Sequence, residues 1–144
     1  MKLLATATAL CLGLACSGAL ANEPTEKDAI AMTERGAALV KSKGKDEMMK
    51  RITAKDPEFV QGELYVGMRD IKSGVMLAHP HNPSIVGKDL TDVPDANGKK
   101  YRRAIIELAS AKGKGWVDYM YKNPTTGKIE PKTTYVMKVD DVVL

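Results

Sequence analysis

Along the first third of the chain, apolar positions recur at helical spacing. In TEKDAIAMTERGAALVKSKG, which begins at Thr25, Ile30, Ala37 and Val40 fall near one face, and Thr25 followed three residues later by Asp28 resembles a capping box. Lys41, Lys43 and Gly44 make the stop, since positive charge suits the last turn and glycine tolerates the backbone conformation just beyond it. Asp46 then predicts the cap of a short second helix, EMMKRITA. That helix must end before Pro57, because a residue preceding proline disfavours helical geometry.

After Phe59 the period shortens from helical to alternating. GELYVGMRDI and VMLAHP flank Lys72, Ser73 and Gly74, which predicts a hairpin. Pro80 and Pro83 end its second strand and open HNPSIVGKDLTDVPDANGK, a stretch too long for a simple connection and of a length that often carries function in a compact domain. KKYRRAIIELASAK returns to helical spacing, with Tyr101, Ile105 and Leu108 on one face and Gly113 and Gly115 closing it. GWVDYMYK and IEPKTTYVMKV alternate again around the turn NPTTGK, and Pro131 inside the second run predicts a bulge or an edge. Helices segregated from hairpins in this order predict an α+β domain with an antiparallel sheet.

Composition changes the picture chiefly at the N-terminus. Lys2 precedes an apolar run from Leu3 to Leu14, and Ala19 and Ala21 precede Asn22, the pattern of a signal peptide over 1–21 cleaved after Ala21. The run is too short for a stable anchor. A lipoprotein signal at Cys16 is the alternative, disfavoured by Gly13 where a branched apolar residue is usual. Cys11 and Cys16 would both leave with the signal, so no disulfide, thiol nucleophile or thiolate metal site is expected in the mature chain. Loss of Lys2 takes the net charge from +4 to +3, only mildly basic. The expectation is a periplasmic or secreted single domain over 22–144, with no later run apolar enough to span a membrane.

The candidate chemistry is sparse. His79 and His81 have the spacing of a metal pair, but no further histidine or cysteine would remain to complete the set, so no metal is expected and a strand-end role in a proline-rich turn is favoured. Ser42, Ser73, Ser84 and Ser110 lack the context of an activated nucleophile, and no glycine motif is followed by the lysine and hydroxyl of a phosphate cradle. Asp140 and Asp141 are adjacent and read as a solvated turn. With a lone Trp116 and a lone Phe59, and basic residues dispersed, nucleic-acid binding is not expected. One constellation remains: Tyr119 and Tyr121 on one strand, Lys132 and Tyr135 on the next, and Tyr65 on the first hairpin. Phenol rings and a lysine can wall a small pocket and pair with an anion.

LYVGMRDIKSGVMLAHPHNPSIVGKDL, KGWVDYMYKNPTTGKIEPKTTYVMKVDD and the helix between them resemble a bacterial single Cache domain of the small extracytoplasmic kind. The Ala-His-Pro with its following Asn-Pro and Gly, the Gly-Trp-Val-Asp-Tyr strand and the Pro-Lys-x-x-Tyr-Val strand carry the likeness over almost all of the mature chain. The resemblance implies a PAS-like fold, with a long N-terminal helix across a five-stranded antiparallel sheet and a small-molecule site on the opposite face. It implies a pocket drawing on Tyr119, Tyr121, Lys132 and Tyr135, with His79 at the strand-to-loop junction and Arg103 on the covering helix as further members. It also implies a closing strand in mid-sheet, between the first hairpin and the strand of Lys132, of which Val142, Val143 and Leu144 would be a shortened remnant.

The function expected from this likeness is a sensory module for a small organic acid or similar metabolite, signalling in chemotaxis or signal transduction through a separate membrane receptor or histidine kinase. No enzymatic activity and no cofactor are expected. The alternative is an interaction protein that docks its long helix on a membrane receptor and has no functional pocket.

Overall fold

The computed structural model describes residues 23–144, so the expected signal segment lies outside the described residues. Helix α1 (Glu26–Lys43) begins with the capping box that the sequence predicts: Asp28 N–H donates to Thr25 Oγ1 at 3.3 Å and Thr25 N–H to Asp28 Oδ2 at 2.8 Å. It stops at Gly44, whose positive φ of 87° suits glycine and whose amide bonds the Val40 carbonyl. Helix α2 (Lys45–Thr53) differs from expectation. It starts directly after Gly44, and Asp46 lies in its first turn, where a carboxylate meets the helix dipole without capping it. Lys45 pairs with Asp141 and so ties the start of α2 to the turn before the last strand.

The alternating run after Phe59 also breaks into more pieces than expected. A minor hairpin joins β1 (Val60–Gln61) to β2 (Leu64–Tyr65), and the chain then enters the main sheet as β3 (Met68–Asp70) and β4 (Met76–Ala78). Gly74 turns the β3–β4 hairpin at φ +73°, where a Cβ would come within 2.1 Å of Thr91 Oγ1. A 3₁₀ turn (Pro83–Ile85), helix α3 (Tyr101–Lys112), β5 (Lys114–Lys122), β6 (Ile129–Val139) and β7 (Val142–Val143) complete the order.

The five-stranded antiparallel sheet runs β4-β3-β7-β6-β5, which puts β7 in the middle, paired to β3 through Arg69–Val143 and to β6 through Val139–Val142. Pro131 causes no bulge: it pairs in register with Met120, whose amide turns outward to Asp95 Oδ2 at 2.8 Å. Both amides at this position therefore point away from the partner strand, and proline's missing N–H costs no ladder bond.

Two apolar cores flank the sheet. α1 and α2 cover one face, where Met32, Met48, Ile52, Met68 and Val142 are buried. α3 covers the other through Tyr101, Ile105 and Ala109 against Val117, Val136 and Val143. A fully buried side chain of this size contributes roughly 1.5–3 kcal/mol. The chain from Gly87 to Lys100 wraps the α3 side, held by Arg103 to Asp92 and by Asp95 to the β5 edge.

Candidate functional site

On the α3 side, strand parity concentrates polar side chains over one end of the sheet. Tyr119 and Tyr121 alternate onto this face of β5, and the register sets Tyr119 opposite Lys132 on β6. Arg69 on β3 and His79, just after β4, complete the wall, and Tyr101 at the start of α3 forms the roof. Together with Tyr65 they enclose a cavity of about 80 Å³, room for a few water-sized atoms. Tyr101 stacks on Tyr119 with ring centroids 4.0 Å apart and planes 1° from parallel. Lys132 Nζ bonds Tyr65 Oη at 2.7 Å and lies 3.9 Å from the centre of that ring.

The electrostatics are one-sided. Arg69 is 7 % exposed and the Arg102 guanidinium, 9 % exposed, lies over the Tyr101 ring at 4.3 Å. Among the described residues none of Arg69, Arg102 and Lys132 belongs to an ion pair, and no carboxylate lines the cavity. Burial lowers the Lys132 ammonium to about 8, partly opposed by the charge of Glu63 outside the cavity. Burial also lowers Arg69, and Arg102 beside it adds to the effect. His79 falls to about 4, first by burial and then by the charges of Lys132, His81, Arg69 and Arg102. The phenols of Tyr65 and Tyr119 are pushed up by burial, and that of Tyr101 to about 12, so they remain protonated donors at neutral pH. The cavity thus gathers cations and neutral O–H groups around an interior without a negative charge.

His79 is oriented by its own turn. Its Nδ1 accepts the amides of His81 at 3.2 Å and Asn82 at 3.0 Å, which leaves the ring proton on Nε2, facing Tyr121 Oη at 3.4 Å. The two prolines hold the chain in the tight extended turn that lets those amides converge. His81 points elsewhere, to the Gly62 carbonyl at 3.1 Å, so the two rings do not form a chelate. Among the described residues no group of three or more His, Cys, Asp or Glu side chains is placed to hold a metal.

Of the side chains that the sequence singles out, Tyr65, His79, Tyr119, Tyr121 and Lys132 come together. Tyr135 borders the same cavity, but it lies three positions from Lys132, so the pleat sends its ring toward the α1 face, where it packs on Trp116 at 5.1 Å. Arg103 also stands apart. It reaches out to form a two-pronged pair with Asp92 at 2.8 and 2.6 Å, and its neighbour Arg102 turns inward. Arg69, Tyr101 and Arg102 are the members that sequence reasoning missed.

The family model for single Cache domain 2 matches residues 24–142. The chain belongs to the single Cache domain family. Solved Cache-like structures share the fold. A methyl-accepting chemotaxis protein from Vibrio parahaemolyticus RIMD 2210633 is 25% identical with a TM-score of 0.68, over 81% of this chain and 82% of that one. The periplasmic sensor domain of a chemotaxis protein is 23% identical with a TM-score of 0.62, over 81% and 84%. A Cache chemosensory domain described for carboxylic acid recognition is 20% identical with a TM-score of 0.62, over 81% and 82%. In this Cache domain, as in those folds, the sheet is mixed with helices and antiparallel, and no helix of the described residues is long and apolar enough to cross a membrane.

Proposed function

We propose that this Cache domain is an extracytoplasmic sensory module that binds a small organic acid between α3 and the sheet and passes its bound state to a separate receptor or kinase. The observation that carries the reading is that Arg69 and Lys132, which among the described residues form no ion pair, line a cavity with no carboxylate in its described lining, while Arg102 stands behind the Tyr101 ring. A ligand carboxylate would supply the missing charge, with Arg69 and Lys132 opposing it and the phenols of Tyr65, Tyr119 and Tyr121 and His79 Nε2–H fixing its orientation. The carboxylic acid recognised by one structural relative is in keeping with this. The reading needs no chemical step, since the acid is bound and released unchanged. Secretion by way of the 1–21 signal would bring the site to its ligand.

Communication with a partner has a physical route. Thr33 on α1 lines the same cavity, reached through the gap between β2 and β6, so occupancy bears on the pose of the long helix on the far side. Calorimetry with short carboxylates on the intact domain tests the binding, with Lys132→Met as the matched variant. Loss of a charge-assisted contact worth roughly 1.5–3 kcal/mol weakens binding by about tenfold or more while folding is kept. Unchanged affinity in the variant removes Lys132 from the site, and no binding of any acid favours the role as an interaction protein without a pocket.

A further inference from the structure

Outside the closed cavity lies a larger recess of about 620 Å³. The two share His79 and Tyr121, and the Nε2···Oη contact between these side chains, at 3.4 Å, is the partition. A contact of that length is weak. Beyond it stand Lys55, Arg102 and Lys122, with no carboxylate in the lining. Among the described residues none of these three cations enters an ion pair. Glu63 and Glu130 are held by Asn123 Nδ2 at 2.7 and 2.8 Å and line neighbouring grooves outside this recess. Arg102 joins the two spaces: it is buried, stacks on the cavity's Tyr101, and yet borders the recess, and among the described residues its one hydrogen bond is a 3.4 Å contact to the Val93 carbonyl.

We propose that the recess is a second anion subsite and that the ligand class is therefore the short dicarboxylates, one carboxylate in the closed cavity and the other among Lys55, Arg102 and Lys122. This rests on the carboxylate reading of the inner cavity. The volumes agree with it: about 80 Å³ in the inner space against about 620 Å³ in the recess leaves most of the room for the far end of the acid on the outer side of His79 and Tyr121. A monocarboxylate would leave its alkyl end among three cations that, among the described residues, have no ion pair, whereas a second carboxylate supplies one.

The test is calorimetry on the intact domain with acids matched in carbon number, butyrate against succinate and valerate against glutarate. The dicarboxylate of each pair is expected to bind about tenfold or more tightly, with the advantage shrinking as salt is raised because the outer lysines are exposed. A Lys55→Gln, Lys122→Gln double variant, whose ligand-free melting temperature reports its folding, is expected to cut the succinate-to-butyrate ratio by about tenfold. Lys132→Met is expected to weaken both acids in parallel. Equal or tighter binding of the monocarboxylates, or a ratio that the double variant leaves unchanged, overturns the second subsite while leaving the carboxylate site standing. Failure of all four acids to bind overturns both readings.

Discussion

His79 is held in one protonation state by its neighbours. Burial first, and then the neighbouring charges of Lys132, His81, Arg69 and Arg102, lower its proton affinity to about 4, and protonating Nδ1 would also expel two backbone amides at once. The sign for stability follows from linkage: a group with a folded value below its ordinary 6.5 contributes full stability above 6.5, and that contribution is lost as pH falls through 4. The gap corresponds to about 3 kcal/mol. Nitrogen chemical shifts of the ring are expected to report the Nε2–H tautomer from neutrality down to about pH 5. An imidazolium signal with a midpoint near the ordinary histidine value would mean that the two amides do not hold the ring. Helical spacing alone separates Arg102 from Arg103. Arg102, Ile105 and Ala109 share one helical stripe, whereas Arg103 shares its stripe with Glu107 and Ser110, a solvent face.

At the scale of elements, periodicity located the helices and hairpins because burial on one side is written into residue spacing. Parity also separates the Tyr135 ring from Lys132, since a residue an odd number of positions away on one strand faces the other side, even though Tyr135 borders the cavity. What spacing could not show was Arg69. Its strand is short, and the charge is tolerated only because the cavity stands over it, a fact of tertiary packing. The strand ladder makes a further prediction. Met137 is bonded to Leu144 away from β5, and Met120 is bonded outward to Asp95, so alternation directs the amides of Thr133 and Tyr135 toward the gap beside β2. The intervening Lys132 and Thr134 amides face β5. Hydrogen exchange on the isolated domain is expected to be about tenfold or more faster at Thr133 and Tyr135 than at Lys132 and Thr134. Equal protection at all four would show that the gap is bridged.

For the molecule as a whole, the shifts at Arg69, His79 and Lys132 all run in the direction of losing positive charge, first because burial penalises the charged form, and at Arg69 and His79 also because neighbouring cations add to it. Lys132 below its ordinary 10.5 carries the full cost of desolvation at neutral pH, and the empty domain recovers that stability only as pH rises from about 8 toward 10.5. A bound anion reverses the balance, because an opposite charge within a few ångströms favours the ammonium and raises its proton affinity. Binding of a carboxylate at pH 8–9 is therefore expected to take up a fraction of a proton, measurable as a dependence of the calorimetric heat on the ionisation enthalpy of the buffer. At pH 6.5 the ammonium is already formed and no uptake at this group is expected. Affinity should be flat between about pH 6 and 7 and decline as pH rises through 8. The rise in melting temperature produced by a fixed acid concentration should decline with it, since stabilisation follows RT ln(1 + [L]/Kd). Affinity that stays constant to pH 9.5, with no proton taken up at pH 8, would mean that the anion does not meet Lys132, and the charge balance of the site would then have to rest on Arg69 and Arg102 alone.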